Sequence, residues 1–204
     1  MTKTITRLFD NYADAAQAIH ELENIGVRRD DISVIANNTR GEYDTRPKGV
    51  NSESEVTTGT SAGAVIGGAG GLLAGLGMLA IPGLGPIVAA GWLAATAVGA
   101  GVGAVGGAAA GGIVGALKHA GHSDEEAQLY SEGVRRGGVL LSAKVDDAEI
   151  DRANAAVDTV PAVNIAERGT RYRQEGWTRF DEAAAPYTAE EIDRDRALYG
   201  VPRS

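Results

Sequence analysis

No cysteine occurs in the 204 residues. Disulfides, thiolate metal sites and thiol nucleophiles are therefore excluded. A basic excess is missing as well: 27 Asp and Glu outnumber 19 Lys and Arg. General nucleic-acid binders carry a basic face, so nucleic acid is not an expected partner. Residues 1–10 carry Lys3, Arg7 and Asp10 and lack the apolar stretch of a secretory signal. An internal segment is thus expected to take the chain to any membrane it reaches. The most telling absence is local. After Glu55 the next charged side chain is Lys118, whereas charges are frequent on both sides. Such a shift marks a boundary between physical environments.

Glycine fills the uncharged stretch. Gly59, Gly63, Gly67, Gly71 and Gly75 recur every four residues, and Gly99, Gly103, Gly107, Gly111 and Gly115 do so again. Gly91 and Ala95 extend the second series backwards in phase. Glycine costs roughly 1 kcal/mol relative to alanine inside a helix. At i, i+4 spacing, however, it leaves a groove that lets a second helix approach backbone to backbone. Between the two series lie Pro82, Gly83, Gly85 and Pro86, which are expected to end one helix and start another. Folding about Gly83 brings Gly75 opposite Gly91, Gly67 opposite Gly99 and Gly59 opposite Gly107. A glycine-zipper helical hairpin is expected over 58–118.

Its arms, 58–80 and 87–117, would be about 35 Å and 46 Å long. A bilayer core of about 30 Å is within reach of both. Arg46, Lys48, Lys118, Arg135 and Arg136 flank the block, which favours a cytoplasmic side for both ends. A cytoplasmic-membrane hairpin with both termini cytoplasmic is the first expectation, with membrane lipid and further copies of the chain as partners. A soluble cytoplasmic assembly that buries its hairpins among themselves is the alternative.

Outside this block the patterns alternate. Residues 4–9 and 31–36 read as strands around a helix at 11–25, whose Tyr12, Ala15, Ala16, Ile19, Leu22 and Ile25 have helical spacing. A capping box, Ser123 with Glu126, opens a helix to about 136. A strand at 139–145, a helix from about 150 to 160 and a strand at 163–166 follow. The expected fold is α+β: a ferredoxin-like βαβ plus βαβ sandwich interrupted by the hairpin. Its parts are 1–36, the first half; 37–57, a polar linker; 58–118, the hairpin; 123–167, a helix and the second half; and 168–204, a tail. The tail holds five of the ten aromatics and a second capping box, Thr188 with Glu191. Trp177 and Phe180 are expected to dock it on the sheet or on a neighbouring subunit.

Several constellations invite chemistry. Gly101, Gly103 and Gly106 match the dinucleotide fingerprint, but that motif needs a preceding strand. His119 and His122 sit near Asp124 without further ligands at metal spacing and read as a solvated helix end. Ser142 reads as strand packing. The acidic pairs at 30–31, 125–126, 146–147 and 190–191 fall at helix starts or turns, where carboxylates complement the dipole. No catalytic residue, metal or cofactor is nominated. A non-enzymatic assembly protein is the leading expectation, and a small-molecule-binding regulatory module ranks last because no polar cluster is foreseen on the sheet.

Five segments carry a family resemblance: Leu8-Phe9-Asp10, Asp31-Ile32-Ser33-Val34, Ile81-Pro82-Gly83-Leu84-Gly85-Pro86-Ile87, Gly137-Gly138-Val139-Leu140-Leu141 and Gly176-Trp177-Thr178-Arg179-Phe180-Asp181. In these the chain resembles the bacterial general stress protein 17M-like, or YflT-type, group over most of 1–167. The resemblance implies a stress-induced bacterial protein and supplies no catalytic residues.

Overall fold

A computed structural model describes residues 2–41, 77–81, 83–102 and 112–199. Among the described residues five strands and seven α-helices form a mixed α+β domain around one antiparallel sheet. The chain begins with β1 (Thr2–Phe9), α1 (Tyr12–Asn24) and β2 (Ile32–Asn37). The Asn11 side chain caps α1 by accepting the Asp14 N–H at 2.9 Å. The helix ends in a Schellman turn, with Val27 N bonded to Leu22 O and Gly26 N to Glu23 O. Later come α4 (Asp124–Arg135), β5 (Val139–Asp146), α5 (Ile150–Val157), α6 (Ile165–Gln174) and α7 (Ala189–Leu198). β5 lies between β1 and β2 and is antiparallel to both, so β1 and β2 run parallel with α1 as their crossover.

Alternation along the strands divides the core. Ile5, Phe9, Val34, Val139, Leu141 and Ala143 pack with Ile19 and Leu22 of α1 and Val157 of α5. Leu8, Ile35 and Leu140 point the other way, to a second cluster with Ala127 and Val134 of α4. The sheet is therefore the middle of three layers. Full burial of a side chain such as Leu22 or Leu140 contributes about 1.5–3 kcal/mol, which sets the register of each strand firmly.

Three expectations are corrected. Around Gly83 the chain makes a β-hairpin, not a helix–turn–helix: β3 (Gly77–Ile81) pairs with β4 (Gly85–Ala90), and β4 pairs with β2. Leu84 donates its N–H to Ile81 O at 3.0 Å, and Gly83 has φ +76°, as the third residue of a type II turn requires. The physical reason is the β-branched Ile81, Ile87 and Val88 flanking a tight turn. Against the free side of β2 they gain a ladder and bury Ile87 and Val88, whereas a glycine-laden helix gives up roughly 1 kcal/mol per glycine.

The expected continuous second arm, 87–117, is also broken. After β4 come α2 (Trp92–Val102) and α3 (Gly112–His119), which pack on each other. Gly91, at the junction of β4 and α2, has φ +89° and so cannot continue a helix. The expected strand at 163–166 forms only its first link, Val163 N to Leu8 O on the outer edge of β1 at 2.8 Å. Asn164 then caps α6 by accepting Glu167 N, since four residues with a central Asn favour a helix start over a ladder.

Candidate functional site

The glycine turn is covered by another part of the chain. Residues 177–188, between α6 and α7, pass over it at backbone distance. A Cβ added at Gly83 would lie 2.8 Å from Asp181 O and 2.9 Å from Glu182 Cα; one at Gly85 would lie 2.8 Å from Pro186 Cβ. At the start of α3, a Cβ on Gly112 would lie 3.3 Å from Glu182 Oε1. Glycine is needed here less for flexibility than to leave room for a crossing backbone. The strap ties the β3–β4 turn to α3, two places where the uncharged block meets the sheet domain.

Both ends of the strap are fastened. Phe180 is 4% exposed and joins the cluster of Leu84, Ile113 and Leu117. Trp177 is half-buried, edge-on to the Tyr172 ring at 6.1 Å. Arg135 donates to Ala185 O at 2.9 Å and stacks over Tyr187. Beyond the strap, Ile192 of α7 is buried against Gly137. Arg136 is the hub: its guanidinium meets Glu132 at 2.8 Å, Glu175 at 2.6 Å and Asp195 at 3.2 Å, and lies 4.1 Å above the Tyr172 ring. Burial opposes the Arg136 charge, but these carboxylates more than offset it and hold its pKa above the usual range. Burial raises the pKa of Asp195 against the attraction of Arg136. The sequence signal for this hub was a Glu132–Arg136 pair at i, i+4 on one helix, a spacing shared by countless exposed pairs.

A second polar group lies on the sheet, contrary to the expectation of an apolar surface. Thr6, Ser142 and Ser33 occupy paired positions on β1, β5 and β2, and all are buried. Thr6 Oγ1 lies 3.0 Å from Ser142 Oγ and 2.7 Å from His122 Nε2; Ser33 Oγ donates to Ala90 O at 2.8 Å. His122 is therefore not a solvated helix end: its side chain is 12% exposed, against the Tyr130 ring, with Glu126 4.0 Å from Nδ1. The hydroxyl–imidazole–carboxylate order has the form of a nucleophilic relay. Thr6 and Ser142 are buried, however, and the consequence for the fold is a pH-dependent stability.

Burial lowers the His122 pKa from 6.5, with Glu126 opposing. The unfolded chain then takes up the proton first as pH falls. Stability is complete above about pH 6.5 and declines as pH drops through that value towards the lower folded pKa. Thermal unfolding from pH 8 to 5 should show a steeper acid decline for the native protein than for His122→Gln. Equal slopes would remove His122 as the source.

The other sequence candidates separate. Gly99 lies in α2, Gly115 in α3 and Pro86 in β4. Gly59, Gly63, Gly67, Gly71, Gly75, Pro82, Gly103, Gly107 and Gly111 lie outside the described residues. Gly101 lies inside α2 rather than after a strand, which the dinucleotide fingerprint does not allow. His119 is exposed. Among the described residues no group of His, Asp and Glu is placed to hold a metal ion. The fold and site define a mixed α+β domain with a strapped glycine turn. No family model, curated protein or solved structure matches the chain.

Proposed function

We propose that this is a non-enzymatic assembly protein, stress-associated as its resemblance implies, in which a ferredoxin-like frame holds a glycine-rich block that packs with the blocks of other copies. One observation carries the reading. The described part of the block is built into the frame as β3, β4, α2 and α3, with no charged side chain from Gly77 to Leu117. Two of its helices already pack on each other using Ala94, Ala97, Ile113 and Ala116 as buried positions. Small residues that allow such close approach within one chain also suit approach between chains. The β1–β5–β2 order, with α1 as crossover, is what supports a ferredoxin-like reading of the frame.

The surroundings of the block follow from where its apolar side chains go. Leu84, Ile87, Leu93, Ile113 and Leu117 are buried within the protein itself, which favours packing among protein surfaces. Among the described residues no helix is long and apolar enough to cross a membrane. Insertion in the cytoplasmic membrane is the second reading, favoured by the uncharged residues 56–76.

Gly67→Leu and Gly103→Leu test the assembly. Light scattering after size exclusion should show at least a tenfold loss of large species, with thermal unfolding of the sheet domain unchanged. Unchanged profiles would exclude the glycine series as the interface. Alkaline carbonate washing of membranes separates the two surroundings: retention in the pellet supports insertion, and release as large particles supports the protein-packed form.

A further inference from the structure

The strap sits on the surface that a second polypeptide would need. At Gly83 and Gly85 the turn offers bare backbone; Asp181 O and Glu182 Cα, both backbone, press on Gly83, and the Pro186 ring presses on Gly85. This face thus accepts a polypeptide at the separations that glycine-mediated packing uses. Its present occupant crosses the turn without joining the sheet. Residues 177–188 form no strand or helix; Trp177 N bonds Tyr172 O and Ile192 N bonds Thr188 O at its two ends, and Ala184 N to Asp181 O is internal to it. The crossing itself is attached at Phe180, at Tyr187 beneath Arg135 and at the Arg135–Ala185 hydrogen bond; α7 adds Ile192, the Arg136–Asp195 and Arg40–Asp193 ion pairs and the Arg196 bonds to Asp10 O and Gly137 O. A segment outside the hydrogen-bonded ladder opens at lower free energy than the sheet it lies on. Gly176, at the hinge, has φ +92° with open space around it.

We propose that residues 177–199 are a releasable strap that keeps the glycine turn and the start of α3 covered, and that its release exposes them to a second copy of the chain. This rests on the assembly reading and supplies its regulation. Release uncovers Gly83, Leu84, Gly85 and Gly112, and vacates the Phe180 position in the apolar cluster. The strap carries Asp181 and Glu182 over an uncharged surface, so a closed protein presents carboxylates where an open one presents glycine. Association is then limited by the open fraction, as for any binding-competent minor state.

The absence of native cysteine allows a clean lock. A Cβ at Gly137 lies 3.6 Å from the Ile192 Cβ, within disulfide reach. In Gly137→Cys/Ile192→Cys the oxidised form holds α7 down and the reduced form is its own control for strain at residue 137. Light scattering over a concentration series should place the association midpoint of the oxidised form at least tenfold higher than that of the reduced form. Phe180→Asp, which cannot bury its charge, should lower the midpoint below that of the native protein. It should also speed exchange of the Leu84 amide at least tenfold while β5 amides stay protected. Identical association of oxidised and reduced forms would overturn the strap. So would a Phe180→Asp protein with native Leu84 exchange and native association. If no form associates and Gly67→Leu behaves as the native chain, the assembly reading itself has failed. Association that is glycine-dependent yet indifferent to the lock defeats only the strap.

Discussion

Replacing Gly91 with alanine should destabilise the domain by at least about 3 kcal/mol, whereas Gly26→Ala should cost only about 1 kcal/mol. Both glycines have positive φ, +89° and +98°, so both alanines carry left-handed backbone strain. They differ in what the new methyl meets. At Gly26 there is open space. At Gly91 the methyl is driven into Ile32 O and lies 2.7 Å from Ser33 Cα, which is backbone of the β2 strand and has nowhere to move. The neighbours show why the chain turns there. Ser33 Oγ holds Ala90 O at 2.8 Å, and the Trp92 indole donates to Asp31 O at 3.0 Å, so one β2 segment grips the chain on either side of Gly91. The sign of the effect is diagnostic. Inside a zipper helix the same substitution would stabilise by roughly 1 kcal/mol. Denaturant unfolding of both variants decides the matter, and a gain at position 91 would refute the β-to-α junction.

How far the sequence was readable depended on whether local signals had competition. The α1 helix, the β2 and β5 strands and both capping boxes were legible because periodicity and caps agreed at each. Ser123–Glu126 and Thr188–Glu191 form both reciprocal bonds expected of them. The glycine block was less legible, since Gly and Ala carry little periodic contrast and the i, i+4 spacing suits a helix. The deciding information was non-local: β2 has a free side, and Ile87 and Val88 pair there with Asn37 and Ala36. Residues 163–166 failed for the opposite reason. The edge position beside β1 existed, and Val163 touches it, but the Asn164 cap won locally. Of the site, Gly83 and Gly85 were found through turn chemistry, while the strap above them was not. Nothing in residues 181–186 announces what they cross. The setting of His122 was not legible because its partner Thr6 lies 116 positions away in the chain, on a strand whose pairing with β5 only the fold defines.

Arg136→Met should cost about 3–5 kcal/mol, the range for removing one partner of a buried ion cluster. The Arg136 side chain is 7% exposed and that of Glu132 is 1% exposed. Methionine fills much of the volume, so the loss is mainly electrostatic. Glu132 keeps Arg135 at 3.4 Å, while Glu175 and Asp195 lose the cation that joins α6 and α7 to α4. Arg136→Lys should recover only part of the loss, because an ammonium cannot serve three carboxylates in a planar fork or stack on Tyr172. The variant also gains a pH signature. Burial already raises the Asp195 pKa against the pull of Arg136, and loss of that cation raises it further, so the stability it permits is present at low pH and is lost as pH rises through the folded value. Urea unfolding of Arg136→Met should therefore show a larger deficit at pH 8 than at pH 5. His122 acts in the reverse direction and is common to both proteins, so the difference between variant and native isolates the hub. A deficit independent of pH would mean that Arg136 acts through packing alone. Loss confined to α7, seen as faster exchange there with β5 still protected, would place the hub's main work in fastening the strap rather than in the sheet core.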